Sequence, residues 1–368
     1  MRTLLAAIGI AIAATGCVSS PSSPTRQPLP PVDLTDPIVA ASLGSPEFTD
    51  IAWERRAGRW TIVGDGPLPQ PVDVEIIQAA SSDIPAAIST EPRQLIRTAS
   101  AGVPASHPAS AAVAVAKGPD VYLLDGAFTG TRAATRWSVG RVLVHELVHV
   151  AQWYGLAPDY VAAARSGDIA ALDLDDGSAL VTDWAKATGW NDSNDDPLAA
   201  TWTLTGQAPN AYAATSPSED MSESVSLAAA GLGDSLDANR VAWIEAWTGA
   251  TLGELGRGRP WVPAHATEVS SADALYDEAS VSELAIQTGT HVDPIYFELA
   301  ADSPSLEALA TSVADHLQAN GLAGQIQPDG QGYAGAYQVP DGSVIWVELI
   351  EGRELGAEGP LLIYVWLW

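Results

Sequence analysis

The amino-acid sequence predicts an α+β fold, and three features of its pattern lead to this prediction. Short apolar or β-branched runs, separated by Gly, Pro and Asp, occupy residues 59–125 and are typical of strands. Apolar residues at helical spacing dominate residues 138–249. A second pattern of strand, helix and strands fills residues 293–368. The length of 368 residues is sufficient for two folded units.

The charge balance limits the possible partners. The chain has 45 acidic and 17 basic residues, a net charge of −28, and 47% hydrophobic residues. So negative a protein repels the phosphate backbone, and we therefore expect no nucleic-acid partner. The composition is that of a globular protein with a large core, and the acidity favours a soluble monomer.

The first residues have the features of an export signal. Arg2 precedes the uncharged run TLLAAIGIAIAA at residues 3–14. This run is too short to cross a bilayer, which requires about 20 apolar residues in a helix, but it has the length of a signal-peptide core. We therefore predict that residues 1–16 are a signal peptide and that the protein is exported.

Cys17 is the single cysteine of the chain and ends the sequence ATGC, which resembles the lipobox of bacterial lipoproteins. In that motif, cleavage leaves the cysteine as a lipid-carrying N-terminus, although Ala14 stands where the motif prefers leucine. We predict lipidation of Cys17, a Ser/Pro-rich tether over residues 17–42, and an anchor on the outer face of the bacterial cell membrane. Ordinary secretion, with Cys17 removed or inert, is the alternative.

The predicted first domain spans residues 43–250 and begins with strands. Four runs are predicted to be strands: RWTIV at 59–63, VDVEII at 72–77, AAVAVA at 111–116 and DVYLLD at 120–125. A helix is predicted for PRQLIRTA at 92–99, between the second and third of these strands.

The next helical segment carries two histidines and an acid. The run RVLVHELVHVAQWY covers residues 141–154, and Ser138 before it is the predicted N-cap. On a helix with 3.6 residues per turn, His145 and His149 lie on one face, with Glu146 beside them. The sequence therefore predicts three ionisable side chains at one point of an otherwise apolar helix.

This arrangement is suited to metal chemistry. Two imidazoles so placed can bind one ion, and the adjacent carboxylate can take a proton from a water molecule directed at a carbonyl. The pattern HELVH is the HExxH signature of zinc proteases. A structural pair of buried histidines is the alternative, but such a pair is costly without a shared partner. A catalytic zinc site also requires a third protein ligand.

The third ligand does not follow directly in sequence. A continuation HxxGxxH is absent, because Gln152 and Gly155 stand where glycine and histidine are required. A second predicted helix, SPSEDMSESVSLAAAG at 216–231, offers Glu219 and Glu223 on one face. One of these can bind the metal while the other accepts a hydrogen bond from a ligand histidine. An acidic, solvated helix N-terminus is the alternative.

The motif HELVH followed by EDMSESV resembles the gluzincin branch of the zincin metalloproteases, and the short-range layout is similar to that of lethal-factor-type catalytic domains. The resemblance covers residues 110–231. It implies a zincin-like metallopeptidase domain and a Zn2+ cofactor. The roles that it implies are these: His145, His149 and Glu219 as metal ligands, Glu146 as general base, Tyr212 as oxyanion donor, and Glu223 as hydrogen-bond partner of a ligand histidine.

The implied activity is that of a zinc-dependent endopeptidase acting on a peptide or protein. DVYLLD is the predicted strand along which an extended substrate would pair. For Tyr212, packing on Trp202 as a loop aromatic is the alternative role. For the whole protein, the alternative is a catalytically inactive surface lipoprotein on a zincin scaffold that binds a protein or cell-wall partner.

Two further helices complete the first domain in the prediction. They are SALVTDWAKATGW at 178–190, closed by Gly189, and DSLDANRVAWIEAWTG at 234–249. Trp184, Trp190 and Trp202 are expected to pack in the core rather than to form a substrate platform.

Residues 251–368 are predicted to form a small α+β accessory domain with the order βαβββ. Its elements are the strand DPIYFELA at 293–300, a helix over 303–321, and the strands YAGAYQV, SVIWVELI and LLIYVWLW at 333–339, 343–350 and 361–368. His265, His291 and His316 are isolated, and we expect none of them to bind a metal. The domain is predicted to be a structural or protein-binding unit.

Overall fold

The architecture is that of a computed structural model. It describes residues 51–56, 59–62, 71–88, 90, 92, 94–98, 113–128, 135–156, 178–192, 202–263, 266–269, 292–339, 342–352 and 357–368. The predicted signal peptide, Cys17 with its tether, His265 and His291 lie outside these residues. Among the described helices, none combines the length and apolar character needed to cross a membrane.

The described residues form a mixed α+β structure, which confirms the predicted class. The α-helices are α1 (Pro71–Ser82), α2 (Arg136–Tyr154), α3 (Ala179–Thr188), α4 (Pro217–Ala229), α5 (Ala238–Thr248), α6 (Leu252–Leu255) and α7 (Leu306–Ala319). The strands are β1 (Ile51–Arg56), β2 (Arg59–Ile62), β3 (Gln94–Thr98), β4 (Ala114–Lys117), β5 (Asp120–Leu123), β6 (Trp190–Asp192), β7 (Trp202–Leu204), β8 (Thr267–Val269), β9 (Val292–Glu298), β10 (Ala323–Pro328), β11 (Gly332–Gln338), β12 (Val344–Ile350) and β13 (Leu361–Leu367).

The first sheet has the strand order β2-β1-β3-β5-β4. Strands β3 and β5 are parallel, and the other neighbouring pairs are antiparallel. Helix α2 packs against this sheet through a buried cluster that includes Val121, Leu123, Val139 and Leu143. The sheet therefore supports the helix that carries the two histidines.

Two predictions in this region are wrong: one predicted strand lies in a helix, and one predicted helix contains a strand. VDVEII, predicted to be a strand, lies in helix α1, which begins at Pro71 and has Asp73 in its first turn. Its β-branched residues suggested a strand, but Ile76, Ile77 and Ala80 are buried together at helical spacing. Tertiary packing outweighs the weak local preference.

PRQLIRTA, predicted to be a helix, contains strand β3, which hydrogen-bonds to β1 on one side and β5 on the other. Leu95 and Ile96 are both buried, because a central strand covered on both faces does not show polar and apolar alternation. The buried Arg97 lies 3.3 Å from Asp73 of α1 and ties the two misassigned elements together.

Helix α2 begins one turn earlier than predicted. Thr135, and not Ser138, is the N-cap, and its hydroxyl accepts a hydrogen bond from the Ser138 backbone N–H at 3.0 Å. The Ser138 hydroxyl accepts in return from the Thr135 N–H at 3.0 Å, which completes a capping box. Ser138 is therefore the N3 residue of this capping box and lies within the first turn of α2.

The later helices of the first domain match their predictions closely. Ser216 caps α4 by accepting from the Glu219 N–H at 3.1 Å, and Gly189 ends α3 in the left-handed conformation. Helices α2, α3, α4 and α5 share a second buried cluster, which includes Val148, Trp184, Met221 and Ile244. Helix α2 is thus enclosed by the sheet on one side and by helices on the other.

The second sheet has the order β10-β11-β12-β13-β9-β8, and all of its neighbouring pairs are antiparallel. It contains the four predicted strands and also β8 and β10, which the predicted βαβββ order omits. Strand β10 lies at an edge and is largely exposed, so its polar sequence carries little of the apolar signal used for the prediction.

The core of this sheet extends to helices of the predicted first domain. Helix α7 covers one face through Leu309, Val313 and Leu317, and the same cluster contains Trp137 of α2 and Ala230 at the end of α4. The sheet therefore packs against the ends of both helices that carry the predicted metal ligands.

Candidate metal centre

Helices α2 and α4 bring the predicted site residues together through a series of paired side chains. Arg141 pairs with Glu223, His145 with Glu219, and Gln152 with Ser218. Because positions advance along α2 while they retreat along α4, the helices are antiparallel at this contact. Residues that the chain separates widely thus meet at one depth of the helix pair.

Three potential ligand atoms converge at the centre of this contact. The Nε2 atoms of His145 and His149 lie 3.1 Å apart, and the Glu219 Oε2 atom lies 3.1 and 3.2 Å from them. Ligand atoms about 2.0–2.2 Å from one tetrahedral ion lie roughly 3.3–3.6 Å from one another. The observed triangle is close to one face of such a site. His145, His149 and Glu219 could therefore hold a metal ion.

The electrostatics of this triangle favour a carboxylate at Glu219. Burial alone would raise the pKa of Glu219, but the His145 and His149 imidazoles, 3.1 and 3.2 Å from its Oε2 atom, hold that pKa well below its usual range. The alternative of an acidic, solvated helix N-terminus does not fit Glu219, because its side chain is only 25% exposed. Its negative charge is available to a cation at the centre of the triangle.

Glu146 is buried close to the triangle, and Ala116 of the first sheet is among its neighbours. Burial raises the pKa of its carboxyl, while the charges of His145 and His149 act in the opposite direction. The backbone N–H of Ala116 in β4 also acts to lower the pKa of this carboxyl. Glu146 is therefore held beside the ligand atoms with a proton affinity above that of an exposed glutamate.

Tyr212 lies beside the centre and is partly exposed to solvent. The residue is 52% exposed, its ring centre is 5.8 Å from that of His145, and its hydroxyl lies near the Glu219 carboxylate. Thr215 holds the Tyr212 backbone, since its N–H and hydroxyl both donate to the Tyr212 carbonyl. Partial burial and the Glu219 charge raise the pKa of Tyr212, which keeps the phenol protonated as a donor.

Glu223 is predicted to accept a hydrogen bond from a ligand histidine. It lies near His145 but forms its hydrogen bonds with other residues. Its Oε2 atom is 3.9 Å from His145 Nδ1, which is longer than a hydrogen bond. Arg141 Nη2 donates to the two carboxylate oxygens at 3.1 and 3.2 Å, and Ser226 also donates to one of them. Burial would raise the pKa of Glu223, but the Arg141 charge lowers it.

Two buried polar residues that the sequence analysis did not assign to the site stand behind His149. The Nδ1 atom of His149 lies 2.9 Å from Gln152 Oε1, and Ser218 Oγ donates to the same oxygen at 2.7 Å. In the sequence, Gln152 is notable only because it stands where the HxxGxxH pattern requires glycine. Its position three residues after His149, on the same face of α2, is the signal that could have identified it.

Asp220, next to Glu219, points away from the centre and is fully buried. It accepts hydrogen bonds from Arg240 Nε and Nη2 at 3.0 and 2.6 Å and from the Trp190 indole at 2.8 Å. Trp184 Nε1 lies 3.4 Å from the same carboxylate. Two of the three predicted core tryptophans therefore help to anchor the first turn of α4, and this fixes the direction of Glu219.

The strand at the edge of the first sheet is not the predicted one. DVYLLD contains β5, which is paired on both sides, by β3 and β4. Among the described strands, β4 forms this edge, and its Ala116 is among the neighbours of Glu146. The edge nearest the candidate centre is therefore β4.

Comparison of the chain with known protein families, with curated proteins and with solved structures gave no match. Function is therefore inferred from the described residues.

Proposed function

We propose that the chain is a zinc-dependent endopeptidase of the gluzincin type with a zincin-like catalytic domain. The observation that carries this proposal is the triangle of His145, His149 and Glu219 with the Glu146 carboxylate beside it. Two imidazoles and one carboxylate are a donor set typical of catalytic zinc, which keeps a fourth position for water or substrate. Zinc bound by these residues would supply a Lewis acid and lower the pKa of a bound water.

Glu146 is the proposed general base. Its carboxylate would take a proton from the attacking water and return it to the leaving amine, so that a single group serves as base and then as acid. Burial raises its pKa, which brings its proton affinity closer to that required near neutral pH.

Tyr212 is the proposed donor to the oxyanion that forms as water adds to the carbonyl. Its hydroxyl already lies near Glu219, and its raised pKa keeps the donor proton in place through neutral and mildly alkaline pH. An oxyanion donor contributes about a hundredfold or more to the rate of such reactions. An extended peptide can pair with the edge of β4, which would bring its backbone beside Glu146.

The experiment is hydrolysis of casein by the purified protein. We expect hydrolysis to stop when a chelator removes the metal and to return when zinc is added. Glu146→Gln should bind zinc and remain folded, because the three ligands are untouched, but should lose hydrolysis because an amide cannot accept the water proton. The exposed Glu307→Gln is the matched control. Full activity of Glu146→Gln would reject the mechanism, and zinc binding without hydrolysis in the wild type would favour the inactive binding protein.

We also propose that the protein is exported and anchored to the membrane through a lipid on Cys17. The support is the sequence alone: the apolar run that ends shortly before the single cysteine, and the Ser/Pro-rich tether after it. Expressed with its signal, the protein should partition into the membrane fraction, and Cys17→Ser should be released or remain unprocessed. Equal soluble partitioning of both forms would contradict the anchor.

A further inference from the structure

The completely buried Gln152 amide connects the His149 ring to the start of α4. Its Oε1 atom lies 2.9 Å from His149 Nδ1. Its Nε2 atom lies 3.0 Å from the backbone carbonyl oxygen of Ser218 and 3.3 Å from the Ser222 hydroxyl. The amide therefore has one end on a candidate ligand and the other on the residue that precedes Glu219.

The Ser218 carbonyl fixes which end of the amide faces His149. A backbone carbonyl can only accept a hydrogen bond, so the group that faces it must be the NH2 end of Gln152. The amide oxygen then faces the imidazole and can itself only accept. Ser218 Oγ donates to this oxygen as well, at 2.7 Å. Ser218 Oγ also lies 3.3 Å from His149 Nδ1, but the hydroxyl has one proton. If that proton went to Nδ1, the amide oxygen would face lone pairs at both 2.7 and 2.9 Å. His149 Nδ1 therefore carries a proton that satisfies the 2.9 Å contact.

A neutral imidazole has one N–H, so a proton on Nδ1 leaves the lone pair on Nε2. That lone pair faces His145 Nε2 at 3.1 Å and Glu219 Oε2 at 3.2 Å. We propose that Gln152 is a positioning residue that selects the metal-binding tautomer of His149. This inference deepens the proposed function, since it rests on the same triangle of ligands.

The selection matters because Glu219 favours the opposite tautomer. A carboxylate oxygen 3.2 Å from Nε2 attracts a proton to that nitrogen, and an Nε2–H imidazole has no lone pair there to offer a metal. The amide opposes this, because an unprotonated Nδ1 would face the lone pairs of Gln152 Oε1. The amide cannot turn over without also placing its oxygen against the Ser218 carbonyl.

Three variants separate the acceptor role of Gln152 from its structural role. Gln152→Met keeps the length of the side chain but removes the acceptor and the donor. Gln152→Glu keeps an acceptor for His149 but places a second oxygen against the Ser218 carbonyl. Ser222→Ala removes only the longer contact, at 3.3 Å, on the donor side and is the matched control.

The test measures the His149 tautomer by ring 15N chemical shifts in the metal-free protein, at a pH where the imidazole is neutral, and zinc affinity by competitive titration. We expect Nδ1–H in the wild type, in Ser222→Ala and in Gln152→Glu, with wild-type zinc affinity for Ser222→Ala. Gln152→Met should shift His149 towards Nε2–H and bind zinc about 10- to 100-fold more weakly. Gln152→Glu should bind more tightly than Gln152→Met, even if its unfolding midpoint is lower.

Two results would overturn the inference. One is an Nε2–H tautomer in the wild type, and the other is a Gln152→Met protein with unchanged tautomer and unchanged zinc affinity. If Gln152→Met changes the tautomer but the wild type binds no zinc, the proposed function fails while tautomer selection by Gln152 stands.

Discussion

At the scale of single residues, each candidate ligand is held by a neighbour that limits its freedom. Gln152 holds His149 from behind, the Tyr212 ring lies beside His145, and the Ser216 cap holds the backbone of Glu219. Ligands held in this way lose little conformational entropy when an ion binds. The geometry of the triangle therefore depends on residues outside it.

The choice between the two carboxylates of α4 gives the first prediction. Glu219 Oε2 belongs to the ligand triangle, whereas Glu223 bonds to Arg141 and approaches His145 Nδ1 only to 3.9 Å. We expect Glu219→Ala to abolish tight zinc binding, because one of three protein ligands is lost. Glu223→Ala should weaken binding by about 10- to 100-fold or less, because it acts only through a neighbour.

Competitive zinc titration of the two purified variants measures this difference. Glu307→Ala, on the exposed face of α7, is the control for a general effect of charge. Stronger loss of zinc affinity in Glu223→Ala than in Glu219→Ala would move the third ligand to Glu223. It would also remove the support for Tyr212, which is in contact with Glu219.

At the scale of secondary structure, the sequence correctly predicts helices whose ends are marked by capping residues. Helix α4 has its serine cap and a proline in its first turn, and α3 has a glycine in the left-handed conformation at its end. For strand β3 and helix α1, the local sequence pattern does not match the packing environment in the folded chain. A strand covered on both faces and a helix rich in β-branched residues are distinguished by packing, which a local pattern does not contain.

The same limit applies to the site. The motif HExxH selects two histidines that the structure brings together, because helical spacing alone places them on one face. Gln152 and Arg141 gain their partners only when α4 docks against α2. Contacts between elements distant in sequence depend on this docking, and a single sequence does not specify them.

The buried carboxylate of Asp220 gives a prediction for the stability of α4. Asp220 is fully buried and accepts two hydrogen bonds from Arg240 and one from Trp190. Asp220→Asn would leave the Arg240 guanidinium buried without its main counter-charge. Breaking such a pair costs about 3–5 kcal/mol of unfolding free energy, which urea unfolding monitored by circular dichroism measures.

Asp237→Asn is a matched control, because Asp237 pairs with the same arginine but its side chain is 48% exposed. Asparagine also preserves the N-cap of α5, so the expected loss is about 1 kcal/mol or less. Equal losses in the two variants would show that burial of Asp220 contributes nothing beyond the pair itself.

At the scale of the whole molecule, the second sheet is packed against the frame of the candidate centre. Asp293 of β9 accepts a hydrogen bond from the Arg136 backbone N–H at the start of α2, at 2.9 Å, and another from the Trp368 indole. A carboxylate in this position stabilises the positive end of the helix dipole. Arg259 adds a second connection by pairing with Asp83, which also binds Arg136.

These contacts predict that the two parts of the chain fold as one unit, although the predicted domains divide at residue 250. Trp137 of α2 donates its indole N–H to the Ala230 carbonyl at 3.1 Å, and both residues belong to the core of the second sheet. A chain of residues 43–250 would expose this joint between α2 and α4. Exposing a large apolar side chain such as Trp137 costs about 3 kcal/mol, and the chain would also lose the Asp293 and Arg259 contacts.

We therefore expect residues 43–250 to unfold without a cooperative transition and to bind zinc at least tenfold more weakly than residues 43–368, as measured by calorimetry and zinc titration. If residues 43–250 instead unfold in one sharp transition and keep full zinc affinity, the second sheet is an independent domain and its contacts with α2 do not support the centre.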